Sequence, residues 1–398
     1  MWESLSQKGE PSKETLFLLD WIDVHMHRHE VVERAQDTLK KAQLIDLSIK
    51  KYDATPQTAP WHCEGYVLSS HIERILSGLF AIVNGAQILE IEEFARHKSL
   101  HAELFAMQET IKEHAGTMEV FALVHDIAKP DVLVFEASKG SPGEREGFFS
   151  HKRRSSEIAT EKERGLYLKL VRAFEVKHPA LSIGELTAAF YDEYEIVSHN
   201  AGHARAGASD QYLASRERVS HVYRLSDRER GLLTFLIRNH IDFLHFFKDG
   251  PSVSKYNVLQ ERAKKAGFDA NDAFDLMICV SFLDATLGCL AYNEGVFFAQ
   301  IEPVINALLS QDQAAPYKRR KLEEERRIQK KQKLKRALKE SGLSPDQVFS
   351  ALNIPFGSQR GLVMKELYEC VQNPQMEIAD KWGDLKSSVQ KAREILTQ

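Results

Sequence analysis

Cysteine is scarce in this chain. Four residues in 398, Cys63, Cys279, Cys289 and Cys370, lie far apart and form no CxxC pair. That spacing argues against a disulfide framework or a zinc site built from cysteines, and it fits a reducing cytoplasm. Long apolar runs are also lacking. The first ten residues have no apolar core of the signal-peptide kind. The most apolar stretch, Leu276 to Tyr292, is short for a membrane span and carries Asp284 in its middle. It is expected to be a buried helix, with no membrane partner. Alternating strand patterns are absent beyond a few residues, whereas apolar positions at helical spacing recur almost everywhere. The expected fold class is therefore all-α.

The length allows a large core and two or more units. A hydrophobic content of 43% and a charged content of 28% describe an ordinary globular chain. The expected division is an N-terminal helical segment (1–58), a main domain (59–310), a basic helical linker (311–340) and a small helical C-terminal region (341–398). The formal charge of −4 conceals an asymmetry. Residues 317–339 hold twelve Lys/Arg against three Glu, a surplus of nine positive charges, which leaves thirteen net negative charges on the rest. Such a run is usually a solvated helix face. On an acidic body it also suits a polyanion, with Lys318, Arg319, Arg320, Lys321, Arg326, Arg327, Lys330 and Lys331 as contacts and RNA as the first choice. It lacks the Trp, Phe and clustered Leu of a membrane-surface helix.

The chain is organised around Phe121-Ala-Leu-Val-His-Asp-Ile-Ala-Lys-Pro130. An imidazole and a carboxylate at the end of a buried run cost stability unless something pairs with them. A divalent metal accepts both, and a helix-terminal His with a capping Asp is the plain alternative. Asp284 is the sharpest anomaly: a carboxylate in so apolar a helix must be paired, protonated or metal-bound. His71 opens another apolar helix and fits either a satisfied core histidine or a ligand. His240 closes the run Leu232–His240 and reads, taken alone, as a helix C-terminal histidine. His151, Arg153 and Arg154 follow the N-cap candidate Ser150, a helix start suited to an anion. The Gly-, His- and Arg-bearing stretch Ser198–Asp210 reads as a surface loop, with a lid over a polar site as the alternative. His25, His27 and His29 alternate and so share no helix face. His97 and His101 stand four apart on one face but lack the glutamate of a zinc protease, and read as solvated.

Taken together, His71, His125-Asp126 and Asp284 make a pattern that resembles the HD superfamily of metal-dependent phosphohydrolases, H…HD…D on a helical bundle. Glu64–His71 is similar to the segment bearing that family's first histidine, and Leu123–Pro130 to its HD signature. Phe149-Ser-His151 with Ser155–Ala159, and Ile237–His240, are similar to later blocks. The nearest flavour is the HD domain attached to tRNA nucleotidyltransferases and poly(A) polymerases, and Ala351–Leu367 is faintly similar to the tail after that domain. The nucleotidyltransferase head has no counterpart here, so no nucleotide polymerisation is expected.

The resemblance implies His71, His125, Asp126 and Asp284 as ligands of one metal. Mixed nitrogen and oxygen donors suit Mn²⁺, Fe²⁺, Ni²⁺, Co²⁺ or Mg²⁺ better than a structural zinc. A second ion, as in binuclear members, would fall to His151 and His240, with His199 and His203 ranked lower. The adjacent pair of histidines common in those members is absent. The implied activity is hydrolysis of a nucleotide or RNA-end phosphate ester, either a phosphomonoester or a 2′,3′-cyclic phosphodiester. Asp126 would orient water, and Lys129 with Arg153 or Arg154 would neutralise phosphoryl charge. The rival expectation is a non-catalytic module that senses nucleotide or RNA and regulates a partner.

Overall fold

Helical periodicity becomes helix along nearly all of the described chain. The computed structural model describes residues 21–148, 158–289, 294–354, 359–373 and 375–397. The protein is all-α, and the described residues contain one small sheet, in which β1 (Val134–Ala137) pairs antiparallel with β2 (Ile196–His199), Val134 opposite His199. The chain divides into two compact units, Met1–Asp312 and Gln313–Gln398.

In the first unit, α1 (His29–Ile45) packs on α2 (Leu68–Val83), whose apolar face is broad. Leu68, Ile72, Ile75, Leu76, Leu79 and Ile82 are all fully buried. The helix keeps Ser70, Glu73 and Arg74 on its half-buried side and turns its apolar face into the core. It ends where Gly85 takes φ +108°, a conformation that glycine adopts without strain. The next apolar segment is two helices, α3 (His101–Glu113) and α4 (Ala115–Val124), which break at His114. His97 caps the short helix Glu92–Arg96 whereas His101 opens α3, so the two share no helix face, and His101 Nε2 donates to the Ala95 carbonyl at 3.1 Å. His25, His27 and His29 each face a carboxylate of their own, Glu90, Asp23 and Glu33.

The small sheet, with α5 (Glu161–Lys177) and α6 (Ile183–Tyr194), surrounds a satellite core of Phe135, Tyr167, Phe174, Phe190 and Ile196. Both helices start with a capping box, Thr160 with Glu163 and Ser182 with Glu185, so their first N–H groups are satisfied locally. After β2 the chain makes a short helix, α7 (His203–Gly207), where a surface loop was expected. Then α8 (Asp227–Phe247) starts on the Ser226–Glu229 capping box and packs on α4 and α7. His240 is therefore inside a helix that runs seven residues further, rather than at its C-terminus. The last core helix, α9 (Ala270–Ser281), gives way to a π-helical stretch, Phe282–Gly288, that carries Asp284.

That wide turn docks on α2. Arg74 Nε donates to the Leu287 carbonyl at 2.8 Å, and the His71 ring bonds the Gly288 carbonyl at 3.2 Å. Glycine is needed at 288, because a Cβ there would lie 2.5 Å from Ile75 Cγ1 and 3.1 Å from His71 Cε1.

Helix α10 (Glu294–Glu340) includes the basic run. The side chains of Lys318, Arg319, Arg320, Lys321, Arg326, Arg327, Lys330 and Lys331 lie outside the described residues. Its final turns do have an apolar face, contrary to the sequence reading: Leu334 and Leu338 join Leu343, Val348, Phe349, Leu367, Trp382 and Val389 in the core of the second unit. Leu352 and Ile354 pack at its margin, and Leu362 is exposed.

Gly288→Ala is expected to lower stability by about 1–3 kcal/mol through overpacking against Ile75. Urea unfolding checks this. A variant as stable as the parent would mean that the π-helical segment does not approach α2 so closely.

Candidate metal centre

Three segments bring two histidines and two aspartates to one buried point. His71 stands in the first turn of α2. His125 and Asp126 follow α4 directly: His125 N donates to the Phe121 carbonyl at 2.9 Å, and the chain then turns so that Lys129 N reaches the Asp126 carbonyl, also at 2.9 Å. Asp284 projects from the π-helical turn. The widened backbone of such a turn re-aims its side chains, and π-turns recur at functional sites. His71 Nε2 lies 3.0 Å from Asp284 Oδ1 and 3.8 Å from Asp126 Oδ2. His125 Nε2 lies 3.2 Å from Asp126 Oδ2 and 3.5 Å from Asp284 Oδ1. All four residues are at most 7% exposed.

Two more histidines complete the cluster. His240 comes from the interior of α8 and His203 from the start of α7. His203 Nε2 is 3.1 Å from Asp126 Oδ1 and 3.3 Å from His240 Nε2. The stretch expected to be a surface loop therefore delivers a buried side chain. His199 faces Glu136 instead, at 3.3 Å and partly exposed. His151, Arg153 and Arg154 lie outside the described residues. Lys129 is buried, with Nζ 2.6 Å from Asp126 Oδ2. The contact is an ion pair by distance, but its direction is not that of a hydrogen bond.

The imidazoles share one orientation. Carbonyl oxygens only accept, so the nitrogen facing each must carry the proton. His125 Nδ1 donates to Phe121 and Ala122 at 3.2 and 3.1 Å. His203 Nδ1 donates to Asn200 and His240 Nδ1 to Ile237, both at 2.7 Å, and His71 Nδ1 donates to Gly288. A neutral ring held this way presents the Nε2 lone pair inward. His203 and His240 thus aim two lone pairs at each other across 3.3 Å. His125 Nε2 and both oxygens of Asp126 are buried and take part in no hydrogen bond. Lys129 gives Asp126 Oδ2 a cationic neighbour, whereas a buried acceptor left without hydrogen bond or cation costs about 1–3 kcal/mol.

Electrostatics points the same way. Burial alone would keep His125 neutral, but Asp126 and Asp284 outweigh it and push its pKa up to about 9. Burial opposes protonation of His71 too, yet Cys289, Asp284 and Glu64 hold its pKa well above the usual imidazole value. Burial would raise the pKa of Asp126 and Asp284, but His125, with Lys129 at Asp126 and His71 at Asp284, holds both well below the carboxylate range. His240 goes the other way: burial, assisted by His203 and His125, brings it down to about 3 against the pull of Asp284. The two carboxylates draw positive charge to the centre, in the form of protons on the imidazoles and the Lys129 ammonium, and a divalent ion can take the place of those protons.

Among the described residues, three sets of donor atoms lie close enough to share an ion: His71, His125 and Asp126; Asp126, His203 and His240; and His62, Glu64, His71 and Cys289. Buried side chains of this protein can therefore hold metal.

Comparisons of the chain with protein-family models, with curated proteins and with solved structures found no match. The reading of the centre rests on its own geometry.

Sequence reasoning passed over Glu64. Its Oε1 lies 2.7 Å from His62 Nδ1 and 3.1 Å from His71 Nδ1. The imidazoles, His62 foremost, outweigh burial and hold the carboxyl ionised. A carboxylate behind an inward-facing histidine fixes its ring and raises its donor strength. The signal was available, since Glu64 falls seven residues before His71 in an apolar, buried stretch.

His203→Ala and His240→Ala are each expected to reduce the metal bound after reconstitution with Mn²⁺, and His199→Ala to leave it unchanged. Elemental analysis of the folded variants checks this. Equal metal in all three would remove His203 and His240 from the centre.

Proposed function

We propose that this centre binds divalent metal and that the protein hydrolyses a phosphate ester in the manner of the HD phosphohydrolases. The observation that carries the reading is the meeting of His71, His125, Asp126 and Asp284, from segments more than two hundred positions apart, with orphaned acceptors turned toward a common point. His71, His125, Asp126 and Asp284 would hold one ion. Asp126 faces the first group through Oδ2 and His203 through Oδ1, so it would bridge to a second ion held with His240. The nitrogen and oxygen donors favour Mn²⁺, Fe²⁺, Ni²⁺, Co²⁺ or Mg²⁺. When bound, such an ion acidifies water and polarises a phosphoryl oxygen.

The chain's own groups do the rest. Asp126 stays ionised beside Lys129 and can orient a water through whichever lone pair is not engaged. Lys129 Nζ, buried and 2.6 Å from that carboxylate, places a fixed positive charge where phosphoryl oxygens gain negative charge. The Nδ1–H anchors on all four histidines prevent ring rotation, so the site is organised before substrate arrives. The apolar packing around α2 and α4 keeps bulk water out, which strengthens each of these charges. RNA ends are the favoured substrate class, because residues 317–339 carry a surplus of nine positive charges.

Protein loaded with Mn²⁺ or Ni²⁺ is expected to turn over at least one of 2′,3′-cyclic nucleotides, nucleoside monophosphates or phosphorylated RNA ends. Lys129→Ala should lower the rate by about 10²–10³-fold, and Asp126→Ala should lose both turnover and metal. Binding of nucleotide without turnover would favour a sensing module instead. No turnover, with metal content unchanged in Asp126→Ala, would defeat the proposal.

A further inference from the structure

The third donor set shares His71 with the His–Asp centre, but its other members, His62, Glu64 and Cys289, lie outside that centre and have different chemistry. His62 Nδ1, Glu64 Oε1 and Cys289 Sγ converge behind His71, and their atoms lie within 4.8 Å of one another. His62 Nδ1 is 2.7 Å from Glu64 Oε1 and 3.9 Å from Cys289 Sγ. The His62 and His71 rings meet edge to face, with centroids 5.0 Å apart.

The position of Cys289 needs explaining. Buried free cysteines usually behave as small apolar residues. Cys279 does so here, with its Sγ 3.6 Å from the Met107 carbonyl. Cys289 is buried too, yet it lies against a histidine and close to a carboxylate. Nitrogen, oxygen and sulfur around one small volume form the donor set of a borderline-soft ion, and sulfur is the element the His–Asp centre lacks.

We infer that His62, Glu64 and Cys289 form a separate site for a thiophilic divalent cation of the zinc class. Three protein ligands leave one coordination position for water. The short His62–Glu64 hydrogen bond marks a proton that the ion displaces, together with the thiol proton. His62 has a side chain 16% exposed, which gives an entry path from solvent. His71 is not needed as a ligand. Its Nδ1–H remains on Glu64 and Gly288, so Glu64 touches both sites, and an ion on Glu64 would be felt at His71. Unlike a zinc site built from several cysteines, this one uses a single cysteine with histidine and glutamate. The inference does not rest on the phosphohydrolase reading.

Cobalt separates the two sites, because only a thiolate ligand produces the intense near-ultraviolet sulfur-to-cobalt charge-transfer band. Metal-stripped full-length protein titrated with Co²⁺ is expected to develop this band and to lose it when Zn²⁺ is added. Cys289→Ser and His62→Ala, each checked for fold by circular dichroism, should lose the band. His203→Ala and His240→Ala should keep it even where they empty the other centre. No band in the parent protein, or a band that survives Cys289→Ser, overturns the inference.

Discussion

The structure depends on how charge is satisfied in a dry interior. Asp126 and Asp284 sit among fully buried Leu, Ile, Val and Phe side chains, and four imidazoles face them. An isolated carboxylate there would be protonated or would unfold its surroundings. Here both are held ionised, because imidazoles and Lys129 supply positive charge. Protons on His71 and His125 can do this, and so can a metal ion. The two solutions compete for the same lone pairs, which makes the centre a place where metal loading and protonation are one equilibrium.

Backbone detail makes that convergence possible. An uninterrupted α-helix would carry the direction of α9 past residue 281, whereas the π-helical turn swings Asp284 and allows Gly288 to lie against Ile75 and His71. The turn after α4 places Asp126 and Lys129 together. The short helix α7 is fastened from behind by Arg216, whose Nη1 donates to the Gly207 and Ser209 carbonyls and so fixes the segment that starts with His203. Each device is local, and each decides whether one ligand atom reaches the common point.

Much of the fold was legible in the sequence. Helical spacing announced an all-α chain, and the S/T-x-x-E capping boxes mark three helix starts. Asp284 stood out because a carboxylate in an apolar helix is costly, and His71 and His125-Asp126 because they end or open apolar runs. The four side chains do lie together. His203 was ranked low because its neighbourhood is small, polar and glycine-bearing, with no periodicity to show which side is buried. Choosing between His199 and His203 requires the pairing of β1 with β2, a contact between residues more than sixty positions apart. Cys289 and His62 are separated by 227 positions, so no spacing rule connects them. The breaks at His114 and Ser281 were invisible because apolar spacing continues through both.

The most direct measurement is anomalous scattering from a crystal grown with Mn²⁺. The account predicts a peak about 2.0–2.2 Å from His71 Nε2, His125 Nε2 and an oxygen each of Asp126 and Asp284. A crystal in which His71 and His125 keep their contacts with the two carboxylates, and manganese scatters elsewhere or not at all, would contradict it.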